Sequence, residues 1–229
     1  MSEILESLNE KQKEAVEATE GPVLILAGAG SGKTRVLTHR AAYLISEKKV
    51  APWNIMAITF TNKAADEMRE RIDRLCEDDG GKVWVATFHA TCGRILRQHA
   101  ELLGYTSNYT IYDTDDTKTL MKRVLKKLDL DSKDYSEKAM LGHISSAKNR
   151  LEDPDFMYKC AGNYRERKIA EIYEEYQKQL KQNDAMDFDD MLVNTVLLFR
   201  QFPEILGNWQ ARFKYIMVDE YQDTNTAQF

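Results

Sequence analysis

The sequence predicts an α/β chain: a parallel sheet presenting a phosphate-binding loop, interrupted by a long all-helical stretch. Three observations carry this. An apolar run, Val23-Leu24-Ile25-Leu26, passes directly into a glycine-rich turn that reads AGAGSGKT from Ala27 to Thr34. Further short apolar runs alternate with segments of helical periodicity, the order that yields crossover units and parallel strands. From Tyr109 onward no strand-like run appears until Tyr215.

The unbroken apolarity of Val23–Leu26 is the pattern of a strand buried on both faces. The turn beyond it is no core element. Gly28, Gly30 and Gly32 open backbone conformations closed to other residues, so successive N–H groups can turn toward an anion, with Ala29 and Ser31 completing the turn. Lys33 adds a charge and Thr34 a hydroxyl at the start of a helix, the groups a phosphate-bound magnesium ion needs. The strict pattern has glycine where Ala27 stands. A chance Gly-Lys-Thr in an ordinary turn is the competing reading, and it leaves the order of strand, turn and helix unaccounted for.

Composition narrows the classes. No apolar run is long enough for a membrane span, and the N-terminus MSEILESLNE lacks a basic start and an apolar stretch, so no membrane partner and a cytoplasmic location are expected. Cys76, Cys92 and Cys160 show no Cys-x-x-Cys spacing, and the four histidines are scattered, so neither a disulfide framework nor a zinc site is indicated. A net charge of -5 argues against a generally basic nucleic-acid binder. It leaves room for a local groove that works by stacking.

In chain order, Leu8 to Gln12 opens a helix with Ala15 and Val16 inward and Ala18 a further candidate. Asn9 with Gln12 is close to a capping box; reading a base edge is the alternative for Gln12, and the residues alone favour the cap. Arg35–Lys48 has Val36, Leu37, Ala41, Leu44 and Ile45 at helical spacing. Ile55–Phe60 reads as a second strand, succeeded by a helix capped by Thr61 or Asn62 with Ala65, Met68, Ile72 and Leu75 inward. Val83–Phe88 gives a third strand and Ala90–Leu103 a helix. Ligands of such sheets bind beyond the carboxyl ends of the strands, where Thr59-Phe60-Thr61-Asn62 and Thr87-Phe88-His89 both lie. Phe60 and Phe88 there suit base stacking and strand-end core packing equally well.

The helical stretch comes next, with helices expected after Asp113, from Ser136 to Asn149, from Asp153-Pro154, and from Tyr164 to Gln182. Its basic cluster Lys122, Arg123, Lys126 and Lys127 reads as a solvated face, and its tyrosine stripe as core. Asp187 can cap a helix over Phe188–Phe202, and Pro203 begins another. Tyr215–Val218 is a fourth apolar strand, ending in Asp219-Glu220. Two carboxylates at the end of an apolar strand need a cation or hydrogen-bond donors. Beside a phosphate loop, Asp219 suits a magnesium ligand and Glu220 a base for the attacking water.

Taken together, Gln12, AGAGSGKT (27–34), TFTNKAADEM (59–68), TFHA (87–90), IYDTDD (111–116), AMDFDD (185–190) and VDEYQDTN (218–225) resemble the ordered motifs of the UvrD/Rep/PcrA group of superfamily-one DNA helicases. Alanine at position 27 matches that group. The resemblance implies a RecA-like P-loop ATPase domain, residues 1–108 plus 185–229, with an inserted all-helical subdomain at 109–184, truncated before a second RecA-like domain. It implies an ATP- and Mg2+-dependent motor moving 3′-to-5′ on single-stranded DNA while separating a duplex. By the same analogy Gln12 contacts adenine, and Arg35 lies near the nucleotide. Lys33 and Thr34 take phosphates and magnesium, and Phe60, Asn62, Thr87, Phe88 and His89 line the DNA path. The arginines that reach the γ-phosphate fall outside the motifs present, so little hydrolysis or unwinding is expected of these residues alone. Self-association through an exposed sheet edge at Val23–Leu26 is also expected. A small P-loop kinase explains the phosphate loop without the TFTNKAADEM and VDEYQDTN signatures; a non-catalytic nucleotide- or DNA-binding module is the other alternative.

Overall fold

The structure, a computed structural model, describes residues 3–28, 30–131 and 133–229. Its elements begin with α1 (Glu3–Glu6), α2 (Glu10–Glu17), α3 (Lys33–Ser46), β1 (Ile55–Thr59), α4 (Asn62–Cys76), β2 (Trp84–Thr87) and α5 (Phe88–His99). They continue with β3 (Thr110–Ile111), α6 (Thr114–Lys127), α7 (Glu137–Asn149), α8 (Pro154–Cys160), α9 (Tyr164–Gln182) and β4 (Ala185–Met186). The last are α10 (Phe188–Gln201), α11 (Pro203–Arg212) and β5 (Tyr215–Val218). The chain falls into two compact units: residues up to Phe88 with Glu204–Asp223, and His89–Pro203 with Thr224–Phe229.

The first unit holds a parallel sheet in the order β2-β1-β5. Ala57 of the central strand stands opposite Val85 on one side and Met217 on the other. All five residues of β1 are buried, as continuous apolarity predicts for a strand with neighbours on both edges. Leu37, Ala41 and Leu44 of α3 and Ala65, Met68 and Ile72 of α4 pack with Ile55, Ala57, Val85 and Met217 into one core. Thr61 caps α4, its Oγ1 accepting from Ala64 N at 3.1 Å. Leu75, expected inward, is only half-buried, and Phe88 is the first residue of α5 rather than the last of a strand.

Two expected buried strands differ. Val23–Leu26 forms no strand, and Leu24 and Leu26 are 67% and 86% exposed. Apolar composition makes a strand only where a neighbour receives its N–H and C=O groups, and among the described strands none pairs with this run. The sheet edge therefore falls on β5 instead of on residues 23–26. That position explains β5, where Met217 alone is buried and Ile216 is 61% exposed.

The second unit is largely helical. Its core joins Leu120, Met121, Val124 and Leu125 of α6 to Met140 and Ile144 of α7 and to Ile169, Ile172, Tyr173, Tyr176 and Leu180 of α9. The tyrosine stripe is thus core, while Lys122, Arg123, Lys126 and Lys127 are exposed. The expectation of no strand before Tyr215 is corrected by β3 and β4, a two-residue parallel pair. Thr110 N donates to Asp184 O at 2.9 Å and Tyr112 N to Met186 O at 2.8 Å. Runs this short carry no periodicity in the sequence. They pair the two ends of the stretch expected as an insertion.

A buried ionic cluster holds α10 to its neighbours. The fully buried Lys148 of α7 donates to Asp187 Oδ2 at 2.6 Å and lies 2.9 Å from Asp190 Oδ1. Tyr176 Oη donates to Asp187 Oδ2 at 3.0 Å, and Gln177 Nε2 to Asp190 Oδ1 at 3.0 Å. Asp187 and Asp190 also form a reciprocal capping box at the start of α10. Burial works against the charge on Lys148, but the Asp190 and Asp187 carboxylates more than offset it, and its pKa is raised. Burial pushes Asp190 up to about 6 in spite of Lys148. Asp187 is held below the ordinary carboxylate value because the Lys148 ammonium, the Asp190 N–H and the Tyr176 hydroxyl outweigh its burial.

Removing the lysine alone leaves two buried carboxylates without a cation. Lys148→Met is expected to cost about 3–5 kcal/mol in urea unfolding at pH 7.5. In the parent chain Asp190 already has a folded pKa of about 6, above its ordinary 3.8. The Lys148 ammonium lowers both carboxylates, so without it Asp187 and Asp190 take up protons at higher pH than in the parent chain; the folded variant binds more protons as pH falls, and its deficit should shrink toward pH 5.

Candidate nucleotide and nucleic-acid site

The residues of the first unit expected to bind nucleotide come together at two element ends. Gly32, with φ +86°, immediately precedes α3, and its left-handed conformation calls for glycine; a Cβ there would stand 2.9 Å from the flexible end of Gln12 at Nε2. Gly30 also has positive φ. A tight turn closes from Gly28, whose carbonyl accepts from Ser31 N at 3.3 Å and Ser31 Oγ at 2.6 Å. Ala27 is half-buried, and Ala29 lies outside the described residues. Lys33 and Thr34 form the first turn of α3, where free N–H groups and the helix dipole favour phosphate.

Opposite this turn stands the end of β5. Asp219 N donates to Ile58 O at 2.9 Å, continuing the β5–β1 ladder by one residue. Its Oδ2 accepts from Thr34 Oγ1 at 3.2 Å, bridging positions far apart in the chain. Lys33 Nζ lies 3.9 Å from Glu220 Oε1. Glu220 adopts a left-handed conformation at φ 51°, and the Gln222 amide donates to its Oε2. Lys49, Asp129, Leu151 and Asp184 share this left-handed conformation. A hydroxyl and a carboxylate oxygen side by side are hard oxygen donors, a set that suits magnesium.

Gln12 serves two structural roles. It completes the capping box of α2, its backbone N donating to Asn9 Oδ1 at 2.9 Å, and its side-chain Nε2 donates to Ser31 O at 3.0 Å. The cap expected from sequence is present, and the same side chain is tied to the phosphate turn. Arg35 Nη2 donates to Ser7 O at 2.9 Å, which joins α3 to the segment just before α2.

The DNA-path candidates separate between the units. In the first, Phe60 and Phe88 are half-buried and meet edge-to-face with ring centroids 5.5 Å apart. Asn62 is exposed at the start of α4, and Thr87 is buried at the end of β2. In the second, the His89 ring lies 5.1 Å from that of Phe188. Phe188, 55% exposed on the first turn of α10, is missing from the residues singled out by sequence. Its signal is readable: an aromatic between acidic caps, at a position where helical spacing assigns no core contact.

Comparison with known proteins decides the family. The UvrD/REP helicase N-terminal domain profile matches residues 8–229. The chain belongs to this family. It is 50% identical over 228 residues to ATP-dependent DNA helicase PcrA of Bacillus subtilis (strain 168), with 100% of this chain and 31% of that protein covered. It is 51% identical over 229 residues to the PcrA of Staphylococcus aureus (strain Mu50 / ATCC 700699), and 49% to that of Staphylococcus epidermidis, with the same coverage. The chain thus spans 31% of the length of these curated relatives. Family membership agrees with the parallel sheet and phosphate turn, and no described helix is long and apolar enough to cross a membrane.

Burial lowers the His89 pKa below the ordinary 6.5, with the nearby Asp189 carboxylate opposing. A base depressed on folding is neutral in both states above 6.5, and stability is lost as pH falls below that value because the unfolded chain protonates first. Proton NMR of the His89 ring should therefore give a midpoint below 6.5. His89 would then present an uncharged ring beside Phe188 at neutral pH.

Proposed function

We propose that this chain is the nucleotide-binding portion of an ATP-dependent motor that moves 3′-to-5′ on single-stranded DNA and separates duplex DNA. The RecA-like portion comprises 1–108 and 185–229, and the helical segment 109–184 is inserted into it. The observation that carries this reading is the meeting of Thr34 with Asp219 and of Lys33 with Glu220, 3.2 Å and 3.9 Å apart. It joins an anion-binding helix start to a carboxylate pair, as ATP hydrolysis requires.

The residues divide the work by chemistry. Backbone amides of residues 27–32 and the Lys33 ammonium receive the phosphate oxygens, with Arg35 flanking them and Gln12 reading the base. Thr34 and Asp219 would hold magnesium, which when bound neutralises phosphate charge. Glu220 orients and deprotonates the attacking water. Phe60, Phe88, Asn62 and Thr87 in one unit, and His89 with Phe188 in the other, supply stacking surfaces and hydrogen-bond groups for an unpaired strand. The resemblance assigns the γ-phosphate arginines to segments outside these motifs, so slow turnover is proposed for the chain alone. In comparable NTPases such an arginine is worth about 10³–10⁵ in rate.

Fluorescent ATP titrated into the chain with magnesium should bind saturably. Lys33→Ala and Asp219→Asn should weaken that binding while leaving the thermal midpoint in place. Glu220→Gln should retain affinity and lower turnover by roughly 10²–10⁴, the range for loss of a general base. Equal affinity of Lys33→Ala and the parent chain would refute the assignment.

A further inference from the structure

Helix α7 ends in two adjacent residues that hold two different motifs. Lys148 grips the first turn of α10 through Asp187 at 2.6 Å and Asp190 at 2.9 Å, and that turn carries Phe188. Asn149 holds the segment downstream of the acidic pair in the chain. Asn225 Nδ2 donates to Asn149 Oδ1 at 2.5 Å, and Ala227 N donates to Asn149 O at 3.2 Å. All of these contacts lie within the second unit.

The held segment is itself fixed. Asn225 N donates to Gln228 Oε1 at 3.1 Å and Gln228 N returns a bond to Asn225 Oδ1 at 3.0 Å, closing a reciprocal turn. Asn225 comes only five residues after Glu220, and the intervening Tyr221–Asp223 turn is drawn in by Asp223 N donating to Glu220 O at 2.9 Å. A tether this short has little slack.

Ending α7 does not require these contacts. Leu151 N donates to Lys148 O at 2.9 Å and Glu152 N to Ala147 O at 3.0 Å, so local backbone bonds receive these two carbonyls of the last turn without the Asn149–Asn225 bond. Leu151 takes the left-handed conformation at φ 59°, a conformation costly for a bulky side chain. Nor does stability call for a buried Lys–Asp–Asp cluster, since well-packed apolar residues commonly serve as well. The arrangement supplies position.

We propose that Lys148 and Asn149 are positioning residues that couple the nucleotide motif to the aromatic turn of α10. Asn149 registers displacement of the segment beyond Glu220, and Lys148 transmits it to the turn bearing Phe188. The proposal rests on the functional reading above and adds the physical link between nucleotide and single strand. By linkage, the factor by which nucleotide changes DNA affinity must equal the factor by which DNA changes nucleotide affinity.

The test titrates the purified chain with a fluorescent oligothymidylate and with a magnesium-bound non-hydrolysable ATP analogue, each alone and each in the presence of the other. The parent chain is expected to show a mutual effect of about 5–150-fold. Asn149→Leu and Asn225→Leu should each leave the separate affinities unchanged and bring that factor to one. The double variant should do no more, since each single variant already breaks the shared Asn149–Asn225 bond. Asn149→Asp, which keeps the acceptor oxygen, should restore the effect. Should Asn149→Leu fail to fold, Asn225→Leu and Asn149→Asp carry the comparison. Coupling that persists in the leucine variants overturns the proposal while the functional reading stands, as does a parent chain that binds both probes independently. A parent chain that binds neither probe overturns both.

Discussion

The acidic side of the candidate site depends on the register of the β5–β1 ladder, which ends in one backbone hydrogen bond. Asp219 N donates to Ile58 O, so the aspartate is the last residue registered by the β5–β1 ladder and its carboxylate is fixed where Thr34 Oγ1 reaches it. Strand side chains alternate faces, and a slip of one residue would send Asp219 to the opposite face of the sheet. Ladder and core enforce the register together: Met217 is the buried residue of β5 and stands opposite Ala57, with α3 and α4 packed over them. The same packing sets the start of α3, and hence Lys33 and Thr34. Chemistry at the rim is thus fixed by apolar contacts several residues below it.

Glu220 departs from that ladder at once. Its left-handed backbone, with its own N–H donating to Asp219 Oδ1 at 3.1 Å, turns the second carboxylate away from the strand direction and toward Lys33. Two consecutive strand residues would point to opposite faces; the reversal at Glu220 is what allows both acids to address one helix end. Strain here is the cost of that convergence.

Legibility in the sequence tracks how local each signal is. The helices, their caps at Asn9, Asp113, Ser136, Asp153 and Asp187, and the central strand are readable because periodicity and capping are local. The phosphate turn and the acidic pair are readable as chemistry. Val23–Leu26 misleads because apolarity predicts a tendency to be buried and says nothing of whether a partner strand is present. β3 and β4 escape notice since pairing between residues 110–111 and 185–186 is purely tertiary. Lys148 is invisible for a related reason: a lysine on a helix reads as a solvated charge until the carboxylates of another helix are found against it.

The two sides of the proposed nucleotide site therefore differ in how far they are built in advance. Asp219 is held by a ladder, a core and a neighbouring hydroxyl, whereas the stretch leading into the phosphate turn has no ladder at all, and its nearest anchors are the Ser31–Gly28 turn and the Gln12 amide. Ordering such a stretch consumes part of any ligand's interaction energy. Gln12, proposed to read the base, also has a structural part. By closing the cap of α2 and grasping Ser31 O with the same amide, it ties the phosphate turn to a helix whose Val16 is fully buried beside Val36 of α3. A nucleotide that competes for that amide would exchange an internal restraint for a ligand contact, which makes Gln12 the residue where binding and the order of the loop are opposed.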